Sequence, residues 1–377
     1  MSSEKTQFDV LLSIRNHVDL LQQYVPQQAV VCMGEYPTKI LLKENFAQKV
    51  GDALPMFVGR SSKDIIKWSQ DTLNPDWALG LDEKVDTHFW FNVISFITQD
   101  NSVISRLKEK SAEKLTDAVM VSALWDGVAS ALLPTLTAQF KEWNINSVAL
   151  GILPSKIQPS DVHFNALSSI GMYVGQEAST MLLIDRDHLE DFVGVNRDGS
   201  VIKGSVLVSY LLELMLAKET LVQELSELSR SFSAKVFTVL SATGASPKIY
   251  GSLENILNTA LSRPLLTFDL STASVLYVLI RMPFHLKDAF PRGKIELTIA
   301  NWFREKANLK SIYVAEPVFV DEVSDRLDIV MFVGGFDTSK LIAGLEKKVK
   351  DIKSEVVKKG LIKEEYWEGI VKGLSKA

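Results

Sequence analysis

The sequence predicts an α/β protein in which a domain on a mostly parallel sheet leads through a long central helix into a smaller α+β domain. Short β-type apolar runs alternate with helix-length segments through the first 200 residues, the pattern of βα units. Broad apolar coverage at helical spacing then continues from residue 200 to about 229. Beyond it the order changes to runs of helices and runs of strands with hairpin-like closure, as in an α+β unit.

In the first part, strands are expected at residues 10–12, 29–33, 118–123, 147–153 and 180–184, with helices at 128–143 and 163–176. Each strand is a short apolar run, as helices covering both faces of a parallel sheet require. Residues 34–87 carry no readable period. The central segment offers Val201, Val206, Val208, Leu211, Leu212, Met215, Leu221 and Leu225. As one helix of roughly 30 residues it would span about 45 Å and form a spine. Two short helices up to Leu261, a strand over 272–281, a helix around 295–307 and strands over 311–319 and 326–334 complete the second domain. In the lysine-rich tail, Leu341, Leu345, Val349, Ile352 and Val356 recur three or four apart, one apolar face of a helix ended by Gly360. Tyr366, Trp367, Ile370 and Leu374 mark another helix. The expected divisions are 1–199, 200–229, 230–336 and 337–377.

With 377 residues, 46% hydrophobic and 23% charged, the chain has material for two cores without disulfide staples. A net charge of −5 and a pI near 5.7 argue against general nucleic-acid binding, which usually shows a basic stripe, so no nucleic-acid partner is expected. Cys32 is the single cysteine, which rules out an intrachain disulfide and a cysteine-cluster metal site. The histidines, at 17, 88, 163, 188 and 285, lack zinc-ligand spacing. Asp185-Arg-Asp-His188 has metal-ligand residue types, but sits where Asp caps a helix, so no metal is expected. Nucleophile-elbow, Walker and HExxH motifs are absent from the sequence. With no secretory start and no apolar stretch of membrane length, a cytoplasmic location is expected.

The segment Asp117-Ala-Val-Met-Val-Ser-Ala-Leu-Trp-Asp-Gly-Val-Ala-Ser-Ala-Leu-Leu-Pro134 reads as a buried strand entering a helix through a turn placed like a phosphate loop. Such loops use glycines, because positive φ and close approach of N–H groups to phosphate oxygens exclude side chains. Here Gly127 stands alone beside Asp126, with Trp125 one residue earlier. Each non-glycine residue at positive φ costs on the order of 1 kcal/mol. An aspartate charge about 4 Å from a phosphate charge repels it by roughly 4 kcal/mol at an effective dielectric near 20.

The order of elements resembles the FtsZ/tubulin family. That family carries a glycine-rich turn of the type GGGTGTG at this place, then an alanine-and-proline helix start that Ala131-Leu-Leu-Pro134 loosely matches. Ser147-Val-Ala-Leu-Gly-Ile-Leu153 is similar to the next strand. Ser200-Val-Ile-Lys-Gly-Ser-Val206 resembles the central-helix start, usually Asp-Val-Leu-Lys-Gly-Ala-Val. Ser262-Arg-Pro-Leu-Leu-Thr-Phe-Asp-Leu-Ser-Thr-Ala273 is similar to a Pro-Leu-Leu run followed by Asp-Leu-Ser, and the order continues through Arg326-Leu-Asp-Ile-Val-Met-Phe-Val-Gly334. The resemblance covers residues from about 117 to 336, and the first hundred match by topology alone.

At the site the resemblance implies a set of departures. The family's early glycine cluster has no counterpart in Val10-Leu-Leu-Ser-Ile-Arg-Asn-His17, so a second phosphate-facing loop lacks its glycines. The Asn-Asp pair that reads guanine falls on Gly199 and Ser200, with Asn196 and Asp198 nearby as substitutes or as turn formers. The acidic Asn-x-Asp-x-x-Asp loop, which activates water on the next subunit's nucleotide, falls on Ser229-Arg-Ser-Phe-Ser-Ala234 without a carboxylate, and Glu224 and Glu227 fit a solvated helix face. If nucleotide binds, the candidates are Asp126 on magnesium, Gly127 in the turn, Ser130 donating to phosphate, and Asn196 and Asp198 on the base; no catalytic residue is assigned. Arg230 is a candidate interface residue, paired with Asp126 of a neighbouring copy.

The chain is therefore expected to be a divergent FtsZ/tubulin-like protein with a degenerate GTP site, a structural or regulatory filament component in division or cell shape. It would need no cofactor, hydrolyse no GTP, and associate head to tail with itself or with another such protein. Alternatively it is an active GTPase with unconventional loops, using GTP and magnesium to drive polymerisation, or an unrelated α/β binding module. The tail is expected to dock on the second domain by default, or else to contact a partner or acidic lipids through its lysines, so that a membrane is met only indirectly or through the tail.

Overall fold

Continuous aliphatic and β-branched runs place a sheet buried on both faces at the centre of the molecule. The computed structural model describes residues 27–70, 72–111, 115–177 and 179–377. The strand expected at residues 10–12 and the loop up to His17 lie outside them. The strands are β1 (Gln27–Met33), β2 (Leu54–Gly59), β3 (Ala78–Gly80), β4 (Leu115–Ala123), β5 (Asn146–Leu153), β6 (Met181–Asp185), β7 (Val193–Val195), β8 (Val201–Lys203), β9 (Val236–Ala245), β10 (Val275–Pro283), β11 (Ser311–Val314), β12 (Val318–Val320) and β13 (Leu327–Gly334). The helices are α1 (Glu35–Lys43), α2 (Phe46–Lys49), α3 (Ser62–Trp68), α4 (Trp90–Gln99), α5 (Ser102–Ser111), α6 (Gly127–Glu142), α7 (Ser160–Val174), α8 (Arg186–Glu190), α9 (Val206–Ala217), α10 (Leu221–Phe232), α11 (Pro247–Tyr250), α12 (Leu253–Leu261), α13 (Arg292–Arg304), α14 (Ser339–Lys358) and α15 (Glu364–Leu374).

The sheet runs in the order β11-β10-β13-β9-β6-β5-β4-β1-β2-β3, with β12 also paired to β10. From β3 to β6 every pairing is parallel, in the doubly wound order 3-2-1-4-5-6. β9 continues the sheet parallel to β6 through Met181 with Val236 and Leu182 with Phe237; β13 lies antiparallel between β9 and β10. Two apolar clusters cover the two faces. One joins the sheet to α4, α6, α7, α12, α13 and the tail; the other joins it to α1, α9 and α10.

Three expectations are corrected. The single helix over 200–229 is instead the hairpin β7–β8 followed by two helices, α9 and α10, separated at Lys218-Glu219-Thr220. The hairpin wins because Asn196-Arg-Asp-Gly199 supplies a turn, with Gly199 at φ 91, and α9 with 12 residues is about 18 Å long. β9 stands where only helices were expected before Leu261, and all ten of its residues are buried, so no alternating period announces it. The tail docks mainly on α7 of the first part, not on the second domain. That contact explains why α7 is buried nearly all round, through Phe164, Leu167, Ser168, Gly171 and Tyr173. Gly360, at φ 65, follows the end of α14 as expected.

Candidate functional site

In a doubly wound sheet the crevice for a ligand opens beyond the strand C-termini where the strand order reverses. Here that point lies between β1 and β4, so the facing turns are Met33-Gly34-Glu35 and Leu124-Trp125-Asp126-Gly127. The facing loop is thus Gly34-Glu35, and it does carry one glycine, at φ 87. A Cβ on Gly34 would lie 2.9 Å from the Asp126 carboxyl carbon, so the glycine is needed for the approach of Asp126.

The Asp126 carboxylate joins the two turns. One oxygen accepts from the N–H groups of Val128 (2.8 Å) and Ala129 (3.2 Å) at the start of α6. The other accepts from the N–H of Glu35 (3.1 Å) at the start of α1. Three backbone donors from two helix N-termini, the arrangement that ordinarily collects an external anion, thus converge on an anion the chain supplies itself. Burial pushes the Asp126 carboxyl above the usual carboxylate range, while the N–H groups of Glu35, Ala129 and Val128 pull it down and the Glu35 charge raises it further.

Beside this carboxylate side chains take up part of the crevice. The Tyr36 and Trp125 rings meet edge to face at 5.0 Å, and the Arg186 guanidinium lies over both, 4.8 Å and 5.2 Å from their centroids. Tyr36 donates its hydroxyl to Glu190, and burial, then Glu190, pushes its pKa up. On the far side the loop from Lys84 to Phe89 crosses the start of α6. A Cβ on Gly127 would lie 2.2 Å from the Thr87 carbonyl oxygen, so only glycine fits there. An open cleft of about 560 Å³ remains between Arg60, Lys84, His88, Trp125 and Asp126.

The other candidate residues lie in other settings. Ser130 is fully buried and donates to the Leu124 carbonyl (2.7 Å). Asn196 and Asp198 form the tip of the β7–β8 hairpin, where their carboxamide and carboxylate accept from Arg197 and Ser200 N–H (each 2.7 Å). The hairpin is held to the second part by Arg197, ion-paired to Glu322 (2.6 Å) and near the buried Asp328 (3.8 Å). Asp198 and Asn196 therefore share no hydrogen bond with Asp126. Asp185 caps α8 through the N–H of Asp187 (2.8 Å). Among the described residues no cluster of three metal-ligating side chains occurs.

Arg230 is exposed near the opposite end of the strands, beside Asn146, Ser147, Thr180 and Lys235 in a cleft of about 630 Å³. The stretch Ser229 to Ala234, expected to replace the acidic loop, is the last turn of α10 and its link to β9. The loop after α9, which takes the place of the central helix, is Lys218-Glu219-Thr220, and Glu219 is an exposed carboxylate within it. Glu224 is not on a solvated face: it accepts from the Tyr277 hydroxyl (2.7 Å) and from Thr220 (2.7 Å). Sequence reasoning missed Gly34, Tyr36, Arg186 and Glu219. Gly34 alone left a signal, a glycine directly after the apolar run 29–33.

Strand order, facing loops and central helix define the tubulin/FtsZ fold, and solved structures bear this out. The chain is similar to CetZ from Methanosaeta thermophila, with TM-score 0.68 and 15% identity over 91% of this chain and 96% of that one. A GTPγS-bound protofilament of CetZ2 from Haloferax volcanii gives TM-score 0.67 and 19% identity over 87% and 99% of the two chains. FtsZ of M. jannaschii gives 0.64 and 13% over 86% and 95%. No protein-family model and no curated protein matches the sequence. At these identities the likeness establishes the fold. No helix among the described residues is long and apolar enough to cross a membrane.

Proposed function

We propose that the chain is a cytoplasmic filament component of the tubulin/FtsZ type whose nucleotide site is occupied by its own side chains, so that it assembles head to tail without GTP turnover. The observation that carries this is the Asp126 carboxylate on the N–H groups of Glu35, Val128 and Ala129. A polyphosphate entering there must displace this anion and meet its charge, and the Tyr36, Trp125 and Arg186 stack takes up the adjoining space. Support for assembly comes from the fold, which proteins solved as protofilaments share. The two ends of the parallel strands present different surfaces, the crevice at one and the Arg230 cleft at the other, as a head-to-tail contact needs. Its partner is another copy or a second protein of this fold, and its role is structural or regulatory, in division or cell shape.

One observation favours the active GTPase instead. Exposed Glu219 lies in the loop after the central helix, where the resemblance asks for an acidic residue. Sedimentation separates the two. Under the first reading, pelleted protein is the same with GTP and magnesium as with neither. Pelleting that requires GTP and decays as phosphate is released supports the second.

A further inference from the structure

One buried amide ties the crevice to the C-terminal tail. Asn165 on α7 is 1% exposed; its Nδ2 donates to the carbonyl of His88 (2.8 Å) and to that of Trp125 (3.1 Å), two residues that line the cleft. Its Oδ1 accepts from the N–H of Trp90 (3.2 Å), the first residue of α4. The tail grips the residues around this amide. Tyr366 stacks on Trp90 and Trp367 on Phe164, each pair with centroids 5.5 Å apart.

Further along, α15 crosses α7 with the two backbones in contact. A Cβ on Gly373 would lie 1.8 Å from the Gly171 carbonyl oxygen, and one on Gly171 would lie 2.5 Å from that of Ile370. This seat is tight in shape yet poor in polar pairing. Trp90 Nε1, Trp367 Nε1 and His163 Nδ1 are enclosed at or beside it without a hydrogen-bond partner, and Ser168 Oγ, on the same stripe of α7 as Phe164 and Gly171, is in the same state. Lys348 of α14 donates to His163 Nε2 (3.1 Å) and to the Lys156 carbonyl (3.0 Å), the polar pairs the seat does make. Lifting the tail returns those polar atoms to water, which offsets part of the lost stacking.

We infer that α14 and α15 form a strap whose docking braces the walls of the crevice: seated, its rings hold Trp90 and Phe164, and with them the Asn165 amide that joins the His88 and Trp125 carbonyls. This rests on the reading that the crevice is held by the chain's own side chains, and it adds what holds them. By linkage, whatever opens the crevice also loosens the strap.

Hydrogen exchange on the full chain tests it. Gly373→Ala, which forces a side chain into the crossing, is expected to raise exchange about tenfold in residues 359–377 and also in 84–89 and 124–129, with β5 unchanged. In an Asn165→Ala background, adding Gly373→Ala is expected to leave the crevice segments at the rate of the single variant. If Gly373→Ala unfolds the chain, Tyr366→Ala makes the same comparison at a half-exposed ring. Faster exchange confined to the tail, or an equal increment with and without Asn165, overturns the strap. Binding of GTP would instead count against the nucleotide-free reading and leaves this coupling measurable.

Discussion

Asp126 was legible in the sequence as an acid in the wrong place for a phosphate loop, but its function as a ligand of two helix N-termini was not. That function depends on Glu35, 91 residues earlier, and on Gly34 leaving room, and no local pattern reports such a pairing. As a helix cap, Asp126→Ala is expected to destabilise the fold by about 1–2 kcal/mol, read as a lower denaturant midpoint at unchanged slope. An unchanged midpoint would mean that the carboxylate holds nothing. His163 gives a second prediction at this scale. Burial first, then the charge of Lys348, lowers it from 6.5 to about 4, against the smaller opposing pull of Gln158, Asp161 and Asp187. Between those values the unfolded chain holds a proton that the folded chain does not. Stability therefore rises with pH through this window and is lost as pH falls through it. His163→Gln is expected to flatten the dependence between pH 6.5 and 4; the same slope as the parent would contradict the buried neutral imidazole.

Elements announced themselves where one face met solvent or where a cap or breaker stood at an end. Thus the tail helices emerge close to their expected bounds through one apolar face and Gly360 at the turn, whereas β4, α6 and β5, buried on nearly all sides, were marked at their ends by the Trp125-Asp126-Gly127 turn and by Pro154. β9, buried at all ten residues, was missed, and apolar residues at helical spacing on both sides of Lys218-Glu219-Thr220 made α9 and α10 read as one helix. The break at Lys218-Glu219-Thr220 carries no proline or glycine to announce it. The loop from Lys84 to Phe89 was likewise unread, although Gly127 depends on it. Gly127→Ala is expected to push Thr87 off α6 and cost about 1–3 kcal/mol, with faster exchange at 84–89. Exchange there at the parent rate would show that the loop does not bear on α6.

The expected division into two domains describes the order of elements, whereas hydrogen bonding makes one sheet of both. β9 pairs with β6 on one side and β13 on the other, and Asp328 collects Tyr210 (2.7 Å), Gly244 N–H (2.8 Å) and Arg281 (2.9 Å) from three elements. Calorimetry is therefore expected to show one cooperative transition; two resolved peaks would place a boundary at the β6–β9 pairing. The tubulin/FtsZ fold itself could be reached from ordered weak matches, because the order of strands and helices leaves a trace along the whole chain. Whether the site still takes nucleotide turns on the anion it already holds. Titration of the purified protein with GTP, with and without magnesium, tests this most directly. No heat of binding up to millimolar GTP is the predicted result, and binding at micromolar affinity would show that Asp126 yields its place to phosphate.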